Sequence, residues 1–158
     1  MRFSIIKIPK SKNLSYFFAF FSIFFIFQFV TATIANYINP ELTSSKLQFD
    51  SLLEEFVVAV VIAPIIETLI FQYAIIETLL NLKVHPWISI IISALLFGVS
   101  HWYNPIYVIV LTVVGCILAY YYVALRYQNG FTQISLVVLI HALFNTIVFL
   151  DKNFLHLT

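Results

Sequence analysis

Residues 56–82 read FVVAVVIAPIIETLIFQYAIIETLLNL. Across these 27 positions the charged side chains are Glu67 and Glu77 alone. The run exceeds the ~20 apolar residues that cross a bilayer as a helix. Its helix starts near Leu52, so Glu54 and Glu55 fall in the interface or in water. Outward from it, apolar runs of spanning length recur at 14–37, 86–103, 106–125 and 131–150. Together with 52–82 they predict an all-α polytopic membrane helix bundle of about five transmembrane helices, built as one membrane domain over 1–158.

Composition agrees. The chain is 62% hydrophobic and 9% charged, where soluble domains carry about 25% charged residues. Mean hydropathy is +1.01. Eight Lys and Arg leave no basic surface for a nucleic acid. The single cysteine, Cys116, cannot form an internal disulfide. The N-terminal apolar run is longer than the ~7–15 residues of a cleavable signal, so it reads as a retained first span. Polar loops are expected at 39–50 (with Pro40, Glu41, Thr43, Ser44, Ser45 and Lys46), at Asn104 and Pro105, and at 126–130. Arg2, Lys7, Lys10, Lys12, Lys83 and Arg126 fall on one side of such a bundle, and Lys46 and Lys152 on the other. Basic loops face the cytoplasm, which predicts a cytoplasmic N-terminus. Seventeen Phe, many Ile and little Ala or Gly point to an AT-rich bacterial genome, hence a bacterial cell membrane. Tyr120, Tyr121, Tyr122 and Tyr127 read as an interfacial aromatic belt.

Besides Glu77 near the turn, one glutamate and two histidines lie deep inside these runs: Glu67, His101 and His141. Such groups are costly in hydrocarbon and usually face a protein interior where they act. Glu67 and His101 each lie seventeen residues from the turn near Val84, or about 25 Å at ~1.5 Å per residue. His141 and Asn145 lie thirteen and seventeen residues beyond the turn near Gln128, about 20–25 Å by the same measure. All four therefore share one slab of the membrane. His141 with Asn145, and Phe97 with His101, are i,i+4 pairs on one helix face. Pro64 frees the Val60 carbonyl and kinks the second span before Glu67. Ala94 and Gly98 form a small-xxx-small pair for close packing. Residues 65–69 are echoed at 75–79, but Glu77 points about 80° away from Glu67 and sits near the turn, so it is expected to be dispensable. Singly, each polar group has a bland reading as interhelical glue, and His85 and His156 take no role. Their common depth favours a site.

The residues resemble a known family, the CAAX-protease and bacteriocin-processing enzymes, also called the abortive-infection (Abi) family of intramembrane proteases. Its first motif, Glu-Glu-x-x-x-Arg after Pro, is met by Pro64, Glu67, Thr68, Phe71 and Gln72. Its second, Phe-x-x-x-His, is met by Phe97 and His101. Its third, His-x-x-x-Asn or His-x-x-x-Asp, is met by His141 and Asn145. Order and spacing agree over 52–150, the family-like catalytic core. Thr68 and Gln72 depart from the pattern, standing where the family has Glu and Arg. At i,i+4 they read as a neutral, hydrogen-bonding substitute for an ion pair.

The resemblance implies an intramembrane endopeptidase acting on membrane-associated peptides, either prenylated C-termini or leader peptides. Glu67 would activate a water, a role that a low-dielectric site suits. His101 would orient that water or donate to the oxyanion, with His141 and Asn145 completing the donor set. Thr68, Gln72 and Phe97 would support them. No cofactor is expected, although Glu67, His101 and His141 are also a zinc ligand set. The rival is a non-catalytic bacteriocin self-immunity protein of the same family. A transporter subunit is weaker, because no chain of charges lines several helices. The expected partners are the lipid bilayer and a peptide or lipidated-peptide substrate; the sequence does not give an oligomeric state.

Overall fold

A computed structural model gives the fold over residues 5–38, 48–102 and 105–155. Most of the expected 39–50 loop, including Pro40, Glu41, Thr43, Ser44, Ser45 and Lys46, lies outside the described residues, as do Arg2, Tyr103, Asn104 and His156. The described residues are helical, with no strand among them.

Helix α1 spans Asn13–Ile38. Helix α2 runs as one apolar rod over Leu52–Asn81. The Ser51 hydroxyl accepts from the Glu54 N–H and starts it. It ends where the Val84 N–H reaches back to Leu79 O at 3.0 Å and Lys83 takes a left-handed φ of 64°. Helix α3, Pro86–Val99, begins with His85 as cap and Pro86 in the first turn, where a missing N–H costs nothing. Helix α4 is Pro105–Leu125. Helix α5, Gly130–Leu150, is capped by Asn129 and continues as a π-helical turn through Leu155.

Four of these helices are long and apolar enough to cross a membrane. The expected third span, 86–103, is shorter than foreseen. Only 14 residues form α3, about 21 Å of helix against a hydrocarbon core of ~30 Å. Its last turn closes early, because Ser100 N–H bonds Leu96 O, His101 N–H bonds Gly98 O, and the Ser100 hydroxyl donates to Phe97 O. The bundle is thus four spanning helices and a shorter apolar one.

α4 is the central element and packs on all four others. This corrects the aromatic-belt reading of its tyrosines. Tyr121 and Tyr122 are fully buried, Tyr121 against Phe20 of α1. Tyr127, beyond the helix, is the exposed one. Small residues allow α3 to approach α4. A Cβ on Gly98 would fall against the Thr112 side chain and 2.7 Å from Val108 O. A Cβ on Gly115 would lie 3.0 Å from the Phe97 ring.

The ends of the bundle differ in charge. At one end the segment 5–12 is tied to the turn after α4: the Ile8 N–H donates to Ala124 O, and Gln128 bonds both Ile8 O and Asn13. Lys7 lies over the Tyr127 ring, so Lys7, Lys10, Lys12, Lys83 and Arg126 share this end. At the other end Lys152 pairs with Glu55 at 2.7 Å, joining the end of α5 to the start of α2 beside Asp50, Glu54 and Asp151.

Candidate active site

Glu67 is the last residue of a short α-helical stretch, Ala63–Glu67, set between two π-helical stretches, Phe56–Ile62 and Thr68–Ile75. π turns inside an α-helix are rare and concentrate at functional sites. The Glu67 carboxylate meets one histidine on each oxygen. Oε1 is 3.9 Å from His101 Nε2, and Oε2 is 3.5 Å from His141 Nε2. Three elements therefore converge at one depth: the middle of α2, the turn after α3, and α5.

The surroundings fix each ring. His101 Nδ1 is 3.0 Å from Phe97 O and 3.1 Å from Ser100 Oγ. A carbonyl oxygen only accepts, so the neutral ring carries its proton on Nδ1 and presents a bare Nε2 to Glu67. The Phe97 ring stands between the histidines, with its centroid 5.3 Å from His101 and 5.8 Å from His141. Phe71 of α2 backs it edge-on at 5.5 Å. The His141 side chain is 3% exposed, against 23% for Glu67 and 19% for His101. The site is closed on the α5 side and reachable from that of Glu67 and His101.

Asn145 lies one turn beyond His141, but its amide is engaged elsewhere. Nδ2 donates to Ala59 O at 2.7 Å. The reason lies in the register of α2. The Ala63 N–H bonds Val58 O, five residues back. In that register the carbonyl that Pro64 leaves without a donor is Ala59, not Val60 as an α-helical count predicts. Asn145 thus satisfies the backbone break just before Glu67.

The support pair also differs from expectation. Thr68 and Gln72 are both fully buried but do not bond each other. The Thr68 hydroxyl lies 3.5 Å from His141 Nδ1, and neither amide atom of Gln72 has a hydrogen-bond partner. Glu77 stands apart from the site but is far from idle. It takes a bidentate pair from Arg126, with Nε and a terminal nitrogen both at 2.9 Å, and accepts from the Tyr122 hydroxyl at 3.1 Å. The carboxylate shifts Arg126 further toward its charged form.

Sequence reasoning gave no role to Ser100 or Ala59. A serine immediately before an intramembrane histidine was the available signal for the first; the second is a backbone atom and has none. Glu67, His101 and His141 match a zinc site in residue type, yet among the described residues no group of three or more His, Cys, Asp or Glu side chains is arranged to hold a metal ion.

Comparison with curated proteins and with solved structures returned no match. A family model does match: that of the Rce1-like type II CAAX prenyl endopeptidases, over residues 49–147. The matched region takes in α2, α3, α4 and most of α5, and with them Glu67, His101, His141 and Asn145. This chain, an integral membrane helix bundle, therefore belongs to the Rce1-like family of type II CAAX prenyl endopeptidases.

Proposed function

We propose that the protein is an intramembrane endopeptidase in which Glu67 and His101 together activate a water. The observation that carries this reading is the pair of imidazole nitrogens converging on the two oxygens of one carboxylate inside a membrane bundle. The 3.9 Å between His101 Nε2 and Glu67 Oε1 is too long for a direct hydrogen bond, but a water about 2.8 Å from each would bridge it. The bare Nε2 accepts a hydrogen bond from one O–H of that water, which stays on oxygen, while Glu67 takes the other proton as the oxygen attacks the peptide carbon and returns it to the leaving amine nitrogen as the C–N bond breaks. His141 lies on the other oxygen of the carboxylate, buried, with its N–H turned to Glu67, so the donor to the developing oxyanion is left to its neighbour Asn145. Asn145 has a second amide hydrogen left to assist, because Ala59 occupies one.

Family membership supports prenylated C-terminal peptides as substrates, with leader peptides as the other class. The charge difference between the ends supports placing the Lys83 and Arg126 end in the cytoplasm. The test is cleavage of a lipidated peptide by purified protein in detergent. Wild type should cleave and Glu67→Gln should not; equal rates would remove Glu67 from the chemistry. One observation favours the rival, a non-catalytic immunity protein: Thr68 and Gln72 replace the second Glu and the Arg of the first motif, and Gln72 is buried without a partner. Under that reading, protection in cells survives Glu67→Gln and His141→Ala.

A further inference from the structure

We propose that Thr68 is a positioning residue that holds the His141 ring with its proton on Nε2, toward Glu67. The inference rests on the endopeptidase reading and deepens it.

A threonine hydroxyl inside a helix commonly turns back to the carbonyl one turn earlier. Thr31, Thr33, Thr112 and Thr146 all do so, donating to Phe27, Phe29, Val108 and Ala142 at 2.7–2.8 Å. Thr68 departs from this habit. It is fully buried, and its hydroxyl crosses to α5, 3.5 Å from His141 Nδ1. It follows Glu67 directly at the start of a π-helical stretch. Two neighbouring residues of α2 therefore address the two nitrogens of one ring: Thr68 on Nδ1 and Glu67 on Nε2, each at 3.5 Å.

The chain of donors is consistent in one direction. A neutral imidazole has one N–H and one lone pair. With Glu67 ionised, as a base must be, a proton on Nδ1 would aim the bare Nε2 lone pair at the carboxylate, acceptor against acceptor. With the proton on Nε2, that N–H donates to Glu67 Oε2 and Nδ1 accepts from the Thr68 hydroxyl. Every group is then paired. His101, held by Phe97 O, has the opposite tautomer. One ring offers the site a lone pair and the other an N–H, from side chains of the same type. A partner that fixes ring orientation and tautomer without touching substrate is a recurring device in histidine sites. Distances of this kind shorten when substrate is bound.

The test compares Thr68→Val, which keeps the shape and removes the hydroxyl, with Thr68→Ser, which keeps the hydroxyl. Thr68→Val should lower kcat about 10-fold, less than the ~10²–10³ lost with an oxyanion donor itself. KM should be unchanged, and Thr68→Ser should restore most of the rate. Nitrogen NMR of histidine-labelled protein in detergent, with signals assigned by their loss in His141→Gln, should show His141 protonated on Nε2. In Thr68→Val it should show a mixture of tautomers. A wild-type His141 protonated on Nδ1 overturns the inference. So does a Thr68→Val protein with unchanged kcat and spectrum, which leaves the endopeptidase reading standing. Absence of cleavage by wild type overturns that reading instead, and the spectrum still decides the tautomer.

Discussion

Asn145 shows how much rests on one amide. Its Nδ2 replaces the backbone donor that Pro64 lacks. If that is its structural task, its worth depends on the proline. Asn145→Ala should destabilise the protein by ~0.6–2 kcal/mol, the range for an interhelical hydrogen bond in a membrane. Pro64→Ala restores an N–H at position 64, so in that background Asn145→Ala should cost much less. Thermal unfolding in detergent of the four proteins in this cycle measures the coupling, and equal costs in the two backgrounds would sink the link. A related expectation concerns metal. An N–H on His141 Nε2 leaves no lone pair there for a cation, so purified protein should hold no stoichiometric zinc. One tightly held zinc per chain, lost in His101→Ala, would reverse that. The glutamate, the histidines and the i,i+4 partnership of His141 with Asn145 were legible as sequence, because each is a residue type in the wrong solvent or a fixed helical spacing. What Asn145 and Thr68 bond was not. Both depend on π-helical register within α2, and local sequence signals only Pro64.

The helices carry their own tests. α3 and α4 touch through Gly98 and Gly115, and the two glycines serve different ends. Gly98→Ala drives a methyl into the Thr112 side chain and the α4 backbone. Overpacking of that kind costs about 1–3 kcal/mol, so melting temperature should fall markedly. Gly115→Ala presses on the Phe97 ring, which stands between both imidazoles, and on the α3 backbone at Ala94. It should lower cleavage as well as stability, as read from kcat and unfolding on the same sample. The Ala94 and Gly98 pair made this close approach readable beforehand. Helix geometry alone shows that Glu77 points away from Glu67, which is why it reads as dispensable for the chemistry, but not that Tyr122 and Arg126 await it. Glu77→Ala strands the buried Tyr122 hydroxyl, a loss of about 1–3 kcal/mol. Unfolding should register this, while the folded fraction keeps its cleavage rate. An essential role for Glu77 in catalysis would contradict the assignment of Glu67.

At the scale of the whole molecule, the ends of the bundle are distinguished by charge and by chain path. The N-terminal segment, Lys83 and Arg126 gather at one end, and Glu55 with Lys152 at the other. In a Cys116→Ser background, single cysteines at Lys83 and at Leu155 should therefore be labelled from opposite sides of the membrane. Labelling from the same side would refute the arrangement. The number and order of apolar runs were legible, because hydrocarbon demands them. The early end of α3 was not, because its last apolar and aromatic residues read as a continuation and the closing bonds of Ser100 and His101 are tertiary detail. That early end has a consequence for the lipid around it. A 14-residue helix reaches only about 21 Å, and beside it Trp102 is 80% exposed. Acyl chains facing α3 must compress to meet the turn that bears His101, and such mismatch costs fractions of a kcal/mol per ångström. On the endopeptidase reading, the host membrane thus becomes a component of the catalyst. Shorter-chain phospholipids should relieve the strain and bring interfacial water nearer to Glu67. Cleavage in reconstituted vesicles should rise as acyl length falls from eighteen carbons to about fourteen, and a flat response would show that the bilayer already conforms to the protein at no cost.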